Sequence, residues 1–238
     1  MIEPEWEVIA VSKTEDIGLK DRICEAIRDR IFRLEFIPGE KLPEQKLAEE
    51  YGVSRPIVRE AIRRLAWEGL IHIEPNRAST VVVMDEKLIQ DLAFVRWQHD
   101  QLAIPLAVYR ASAEDLDALR KLALACIEAN EAGDLERRHS LDADFHRKIY
   151  ALSGNSLLCD LQERLNSLVR LWQAQHIREP SMLAEGLKQH LALIDCFEAG
   201  DIAGALRVIQ AHSTSSFGAD FKGRLLTPQD ILNLQRSK

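Results

Sequence analysis

The segment LDADFHRKIY, residues 141–150, places a carboxylate and an imidazole one turn apart in a predicted helix. Asp142 precedes His146 by four residues, and side chains at that spacing lie one above the other on the same helical face. Such a pair can take part in acid–base chemistry or can bind a single metal ion through two ligands. The spacing alone leaves both alternatives open.

Two more histidines lie on predicted helices further along the chain, His190 in LKQHLALIDCF and His212 in VIQAHSTSSF. One carboxylate and three imidazoles are a suitable ligand set for Zn²⁺, Ni²⁺, Mn²⁺ or Fe²⁺. Taken singly, each histidine could equally be an ordinary core or surface residue. The metal-site hypothesis therefore depends on the four residues together, and no single histidine supports it alone.

A row of arginines is the second feature of the sequence that could carry a function. Arg55, Arg59 and Arg63 follow one another at intervals of four residues, which places them on one face of a helix. A guanidinium group can contact phosphates and can donate two parallel hydrogen bonds to guanine O6 and N7. A solvated helix surface is the simpler alternative, and the row alone does not exclude it.

The segments around these arginines predict three helices followed by a hairpin. The helices are LKDRICEAIRDRIFRLEF, which stops at residues 37–39, then PEQKLAEEYG and RPIVREAIRRLAWEG. We expect the side chain of Ser54 to cap the third helix and Trp67 to pack in the core. IHIEP and STVVVM flank the turn PNRA and predict two paired strands. This order is typical of a winged helix-turn-helix, whose second paired helix lies in the DNA major groove.

After Asp85 the sequence predicts only helices. Six helical patterns run over roughly 86–110, 113–131, 134–153, 156–178, 181–199 and 201–222. The predicted fold is mainly α, with an N-terminal winged helix-turn-helix followed by an all-α bundle of six to seven helices. The predicted division is an N-terminal extension at 1–17, a winged helix-turn-helix at 18–84, an all-helical domain at 85–222 and a tail at 223–238.

The composition is that of a globular protein and limits the possible partners. The 238 residues are 46% apolar and 29% charged, and the net charge of −7 argues against general affinity for nucleic acid but not against a local basic face. No apolar run is long enough for a membrane span, and the acidic start is unlike a signal peptide. We therefore expect a cytoplasmic location without a membrane partner. The four cysteines lack CxxC spacing and indicate neither disulfides nor a thiolate zinc site.

The segment PGEKLPEQKLAEEYGVSRPIVREAIRRLAWEGLIHIEPNR resembles the N-terminal domain of the GntR family of bacterial transcription regulators, which share the pattern PG..L.E..LA..lgVSR..VREAL.rL...GL. In that family the arginine after the serine-capped turn and the arginine of the VRE triplet contact the operator. Arg55 and Arg59 occupy these two positions. The resemblance also implies supporting contacts from Gln45, Ser54, Asn76 and Arg77.

Two positions depart from the family pattern. Pro56-Ile57 replace the usual Thr-Pro, which removes a hydroxyl group that could reach a phosphate. Ala78 stands where the wing usually carries a glycine, which bears on how closely the wing backbone can approach the groove.

Most of residues 86–222 resemble the FCD ligand-binding domain of the FadR subfamily, through D-x-x-F-H, S-G-N and two later helical histidines. In the metal-binding branch of those domains four positions bind a divalent cation, and Asp142, His146, His190 and His212 match them. The resemblance implies a divalent metal ion, with zinc as the first choice and nickel, manganese or iron as alternatives. For a five-coordinate or octahedral ion, four protein ligands leave one or two positions open, which a small carboxylate or hydroxycarboxylate effector can fill.

Arg96 and Arg170 lie in apolar stretches and are the candidates for effector binding, although both could instead extend to the surface. His139, three residues before Asp142, is assigned no role. The combined pattern implies a metabolite-responsive regulator that binds a pseudo-palindromic operator in double-stranded DNA as a homodimer. The sequence does not give the sign of regulation, and the family resemblance implies a repressor, since repression relieved by ligand is the commoner behaviour in that family. A metal-dependent enzyme acting on a small organic acid is the alternative. No nucleophile or general base stands out beside the four ligands, which favours the regulator.

Overall fold

The computed structural model describes residues 15–74, 77–177 and 180–216. The chain divides between Val83 and Met84 into two compact units. The predicted tail at 223–238 and residues 1–14 of the predicted N-terminal extension lie outside the described residues.

The first unit contains three helices and a two-stranded antiparallel hairpin, as predicted. The helices are α1 (Glu15–Phe32), α2 (Glu44–Glu50) and α3 (Arg55–Trp67), and the strands are β1 (Ile71–His72) and β2 (Thr80–Val81). In the hairpin, Ile71 lies opposite Val81 and His72 lies opposite Thr80. Aliphatic side chains from all three helices form the core, and five of them are at most 2% exposed: Ile27, Ile31, Leu47, Ile62 and Leu65.

Helix α1 ends earlier than predicted. Its last residue is Phe32, and the chain turns at Leu34, whose φ of 59° lies in the left-handed region. The backbone N–H of Glu35 then donates to the carbonyl of Arg30 at 2.9 Å, which closes the helix. The helix therefore ends several residues before the predicted stop at residues 37–39, in a turn that contains neither glycine nor proline.

Two predictions about α3 are wrong. Ser54 is the N-cap residue with extended φ and ψ of −75° and 149°, but its side chain makes no capping hydrogen bond. Trp67 is 63% exposed and does not pack in the core. The buried face of α3 includes Val58, Ile62 and Leu65. Trp67 follows Leu65 by two residues and is thus rotated by about 200° around the helix axis from that face.

The second unit is a helical bundle, and its described residues contain no strand. The helices are α4 (Glu86–Arg110), α5 (Ala113–Glu131), α6 (Leu135–Leu152), α7 (Ser156–His176), α8 (Ala184–Glu198) and α9 (Ile202–Ser215), with a 3-10 turn at Pro180–Leu183 before α8. All but α8 begin at a side chain that accepts a hydrogen bond from the first turn, namely Asp85, Ser112, Asp134, Asn155 and Asp201. These caps satisfy backbone N–H groups that have no partner within the helix.

Packing of the bundle places α4 against α6, α7 and α9, and α5 against α6 and α8. Phe145, Ile149, Leu193 and Ile209 are at most 1% exposed and mark its core. The predicted mainly α fold, with an N-terminal winged helix-turn-helix followed by an all-α bundle, is confirmed. None of the described helices combines the length and apolar character that crossing a lipid bilayer requires.

Candidate metal centre and DNA interface

Three histidines from three different helices converge in the core of the second unit. His146 comes from α6, His190 from α8 and His212 from α9, and they are 1%, 0% and 3% exposed. Their ligand atoms all lie within 4.8 Å of one another, and the Nε2 atoms of His146 and His212 are 3.1 Å apart. Nitrogen ligands around one tetrahedral ion stand about 3.3 Å apart, so the Nε2 atoms of His146 and His212 have this spacing, and His190 lies close enough to complete the set.

Asp142 lies at the edge of the three histidines. Its Oδ1 atom is 3.5 Å from Nε2 of His190 and 4.0 Å from Nε2 of His146, and its side chain is 18% exposed. The spacing of four residues on α6 thus aims Asp142 and His146 at the same point. The structure brings together all four residues that were predicted from the sequence as metal ligands.

The surroundings of the histidines fit a metal ion. Nδ1 of His212 lies 3.0 Å from the carbonyl oxygen of Gly186, which favours the tautomer whose Nε2 carries the free lone pair. His190 is fully buried, yet neither ring nitrogen has a hydrogen-bond partner among the described residues. Buried polar groups in folded proteins normally have partners, and a cation beside Nε2 would supply one here.

Burial keeps all three imidazoles neutral. It lowers the pKa of His190 and of His212 to about 3, and it lowers the pKa of His146 well below its usual range. The positive charge of Arg96 lowers each of these pKa values further. Because the neutral imidazole is the form that binds a metal ion, the ring nitrogens are available as ligands at neutral pH.

The two arginines predicted to bind an effector lie in different places. Arg96 on α4 is 2% exposed, and its NH2 group lies 3.2 Å from Nε2 of His146. Arg170 on α7 is half-buried. Burial, followed by the charges of Arg138 and Arg170, lowers the pKa of His139 to about 3. Arg96 therefore belongs to the histidine cluster, whereas the charge of Arg170 lowers the pKa of His139.

Arg138 is a buried cation that was not predicted from the sequence. It is 2% exposed, and its NH2 group lies 2.8 Å from each ring nitrogen of His139. Its Nε atom has no hydrogen-bond partner among the described residues. Arg138 precedes Asp142 by four residues on α6, so the two share a helical face. That spacing before a predicted ligand is the signal that could have revealed it.

On the first unit, the arginines predicted to contact DNA are exposed along α3. The side chains of Arg55 and Arg59 are 54% and 47% exposed. Arg59 donates three hydrogen bonds of 2.9–3.2 Å to the carboxylate of Glu44 on α2, and Arg55 NH2 lies 3.7 Å from the same group. The hydrogen bonds from Arg59 lower the pKa of Glu44. Glu44 was not predicted to take part in this surface.

The residues predicted to support DNA binding also lie at the surface where the structure describes them. Gln45 is exposed on α2, and Ser54 is exposed at the start of α3. Arg77 donates to Glu74 at 2.6 Å near the tip of the wing. Asn76 lies outside the described residues.

An exposed arginine helix in a winged helix-turn-helix, carried with a helical bundle that encloses a polar centre, defines a DNA-binding transcription regulator. Residues 19–81 match the family model for bacterial regulatory proteins of the gntR family, and residues 95–215 match the model for the FCD domain. The chain belongs to the GntR family and carries an FCD domain.

Relatives of the chain carry the same function in their names. The chain is 31% identical over 163 residues to the Nta operon transcriptional regulator of Aminobacter aminovorans, covering 63% of this chain and 76% of that protein. It is 29% identical over 171 residues to the HTH-type transcriptional regulator McbR of Escherichia coli K12, covering 70% and 76%. The solved structure of E. coli McbR/YncC matches it in fold with a TM-score of 0.69 at 23% identity, covering 96% of this chain and 99% of that one. The matched domains and relatives are transcription regulators and not enzymes, so the regulator prediction is confirmed over the enzyme alternative.

Proposed function

We propose that this protein is a metabolite-responsive repressor, whose affinity for its operator is set by a small carboxylate bound at a divalent metal ion. The convergence of His146, His190 and His212 beside Asp142 carries this proposal. Apolar side chains would fill the same core at lower cost, because buried polar groups without partners destabilise a fold. A ligand-binding role accounts for the presence of these groups in the interior.

The proposed ion would be held by three imidazole nitrogens and one carboxylate oxygen. This set suits Zn²⁺ first, with Ni²⁺, Mn²⁺ or Fe²⁺ as alternatives. When bound, such an ion supplies Lewis-acid attraction for an anionic oxygen at an open position. Two contacts orient the imidazole ligands. The carbonyl oxygen of Gly186 accepts a hydrogen bond from Nδ1 of His212, and the ring of Phe145 stacks on His190 with centroids 4.1 Å apart.

Arg96 is the proposed effector contact at the metal centre. Its NH2 group approaches Nε2 of His146, which is also the nitrogen that would bind the ion. One lone pair cannot serve both a metal ion and an N–H donor, so a bound ion would free the guanidinium group for a carboxylate. Arg170, near His139, is proposed as a more distant effector contact.

For DNA recognition, we propose that α3 enters the major groove and that Arg55 and Arg59 contact base edges and phosphates. Both side chains point away from the buried face of that helix, since they are about half exposed. The supporting contacts to phosphate would come from Gln45, Ser54, Asn76 and Arg77. The hydroxyl group of Ser54 suits this role because it makes no capping hydrogen bond.

An exposed apolar stripe on the second unit supports a homodimer. On α4, residues spaced by seven, four and three positions are 37–85% exposed, namely Val95, Leu102, Leu106 and Tyr109. Leu157 and Leu161 are exposed on α7, the helix that packs beside α4. Monomeric proteins rarely expose an apolar surface of this extent. A second copy would bury the stripe around a twofold axis, and the two α3 helices could then read the half-sites of a pseudo-palindrome.

The proposed partners also indicate where in the cell the protein works and which segment of the chain binds each partner. A regulator that binds chromosomal DNA works in the bacterial cytoplasm and needs no membrane partner. We assign DNA binding to residues 18–84, and metal binding, effector binding and dimerisation to residues 85–222.

A mobility-shift assay with the DNA upstream of the protein's own gene tests the proposal. We expect the zinc-loaded protein to shift this DNA, and small carboxylates to weaken the complex only before EDTA treatment. Arg59→Gln should weaken binding by about 5- to 150-fold, as the loss of a bidentate base contact does. Arg22→Gln, which removes the same charge from an exposed site on α1, should have little effect. Failure to shift any upstream fragment, with metal-dependent turnover of a small acid, would contradict the proposal.

A further inference from the structure

The buried charges of the second unit bear on the chemical class of the effector, given the metal centre proposed above. Two arginines and two aspartates lie within or at the edge of its polar centre: Arg96, Arg138, Asp100 and Asp142. When all four groups are ionised, their charges cancel one another. A divalent ion would add two positive charges, and no other aspartate or glutamate is buried among the described residues of this unit. A ligand with two negative charges would restore the balance.

Arg96 and Arg138 form no ion pair with a carboxylate among the described residues, and they differ in the aspartate whose charge acts on each of them. Asp100 accepts hydrogen bonds from Tyr150 and Ser213 and feels the charge of Arg96. The acidic residue whose charge acts on Arg138 is Asp142, which is a proposed metal ligand and would share its charge with the ion. Buried charges are stable when they are paired and hydrogen-bonded. The interior therefore holds a guanidinium group whose counter-ion is incomplete.

The buried side chain of Arg138 begins one helical turn from the metal centre. It lies one turn before Asp142 on the same face of α6, an offset of about 6 Å along the helix axis. Arg96 approaches the same centre from α4, where its NH2 group lies 3.2 Å from Nε2 of His146.

We propose that Arg138 forms a second anion subsite beside the metal centre, and that the effector is a small dicarboxylate or hydroxydicarboxylate. One carboxylate would occupy the open metal position beside Arg96, and the other would pair with Arg138. A guanidinium group binds a carboxylate through two parallel hydrogen bonds, and the Nε atom of Arg138 has no partner to give up first.

Titration calorimetry of the full-length, zinc-loaded protein with succinate and butyrate tests this proposal, because the two acids have the same number of carbons and differ by one carboxylate. Succinate should bind at least about tenfold more tightly, as expected for an added charge-assisted pair. Arg138→Gln should abolish most of this preference while leaving the affinity for butyrate and the zinc content unchanged. Arg137→Gln, at the neighbouring exposed position of α6, should keep the full preference.

Several results would overturn the proposal. These are equal affinities for succinate and butyrate, no binding of either acid, a preference that survives in Arg138→Gln, or inorganic phosphate binding as tightly as succinate. If Arg138→Gln does not fold, Arg138→Met, which approximately keeps the volume of the side chain, is tested for the same loss of preference for succinate. A protein that binds no zinc contradicts the proposed function itself. A protein that binds zinc without preferring the diacid contradicts only the second subsite.

Discussion

Glu44 on α2 and Arg59 on α3 are joined by three hydrogen bonds of 2.9–3.2 Å, so one carboxylate occupies the guanidinium group that is proposed to contact DNA. Other exposed arginines of the first unit are paired in the same way: Arg63 with Glu60, Arg64 with Asp21 and Arg77 with Glu74. Residues 1–84 contain 13 basic and 16 acidic residues. In the proposed complex, DNA would therefore have to displace carboxylates from these arginines before its phosphates and bases could bind them.

Glu44→Gln should raise the affinity of the protein for unrelated DNA by about two- to fivefold. The variant removes a competing negative charge from Arg59 and Arg55, and an exposed ion pair of this kind contributes up to about 1 kcal/mol. Affinity for the specific site should rise less, so the ratio of specific to non-specific affinity should fall. Fluorescence anisotropy at two salt concentrations measures both. Glu25→Gln on α1 removes the same charge elsewhere, and an equal effect of the two variants would contradict a local role for Glu44.

Removal of the metal should lower the thermal stability of the protein. A ligand that binds only the folded state stabilises it by about 2.7 kcal/mol at a hundredfold excess over its Kd, which corresponds to about 5–10 °C at this chain length. Differential scanning calorimetry before and after EDTA, and after return of zinc, measures the change. His190→Ala should abolish the response to zinc. His72→Ala, whose side chain is 62% exposed on β1, should retain it, and a full response in His190→Ala would contradict the site.

The buried carboxylate of Asp100 joins three helices of the second unit. Asp100 on α4 is 1% exposed and accepts hydrogen bonds from Tyr150 of α6 at 2.6 Å and from Ser213 of α9 at 3.2 Å. Tyr150→Phe leaves this carboxylate with one donor fewer and should cost about 1–3 kcal/mol of unfolding free energy in urea titrations. Ser140→Ala, which removes a hydroxyl group from an exposed position of α6, should change it by less than about 0.5 kcal/mol. Equal stability of the two variants would show that the network is not a stabilising link.

The apolar stripe on α4 should determine the oligomeric state. Leu102→Glu, at a position that is 61% exposed, would place an unpaired charge in the dimer interface. Its dimer Kd in sedimentation equilibrium should rise at least about a hundredfold, because a buried charge without a partner costs several kcal/mol. Leu124→Glu makes the same change at a site on α5 that is 47% exposed and should leave the dimer intact. A wild-type protein that is monomeric at micromolar concentration would contradict the assignment.

The bounds of α4 and α5 could be predicted to the residue because their signals are local. Asp85 and Ser112 each accept a hydrogen bond from the backbone N–H three residues later, and the sequence shows both caps directly. The end of α1 could not be predicted in this way. It depends on the left-handed conformation of Leu34, which residues other than glycine rarely adopt.

Only part of the candidate metal site could be predicted from the spacing of residues along one helix. The pair formed by Asp142 and His146 follows from one helical turn, but His190 and His212 come from other helices and joined the set through a family resemblance. The spacing on α6 places Arg138 beside a predicted ligand, but neither the burial of Arg138 nor the pairing of Glu44 with Arg59 could be predicted from spacing. Their roles arise from the packing of separate helices and from the absence of nearer counter-ions, which the order of residues along one helix does not report.

Elemental analysis of the purified full-length protein, after incubation with zinc and desalting, tests the central claim most directly. The account predicts about one zinc ion per chain in the wild-type protein. It predicts almost none in His190→Ala, with an unchanged far-ultraviolet circular dichroism spectrum. A folded wild-type protein without bound metal, or a His190→Ala variant with a full equivalent of zinc, would contradict a metal centre at the three converging histidines.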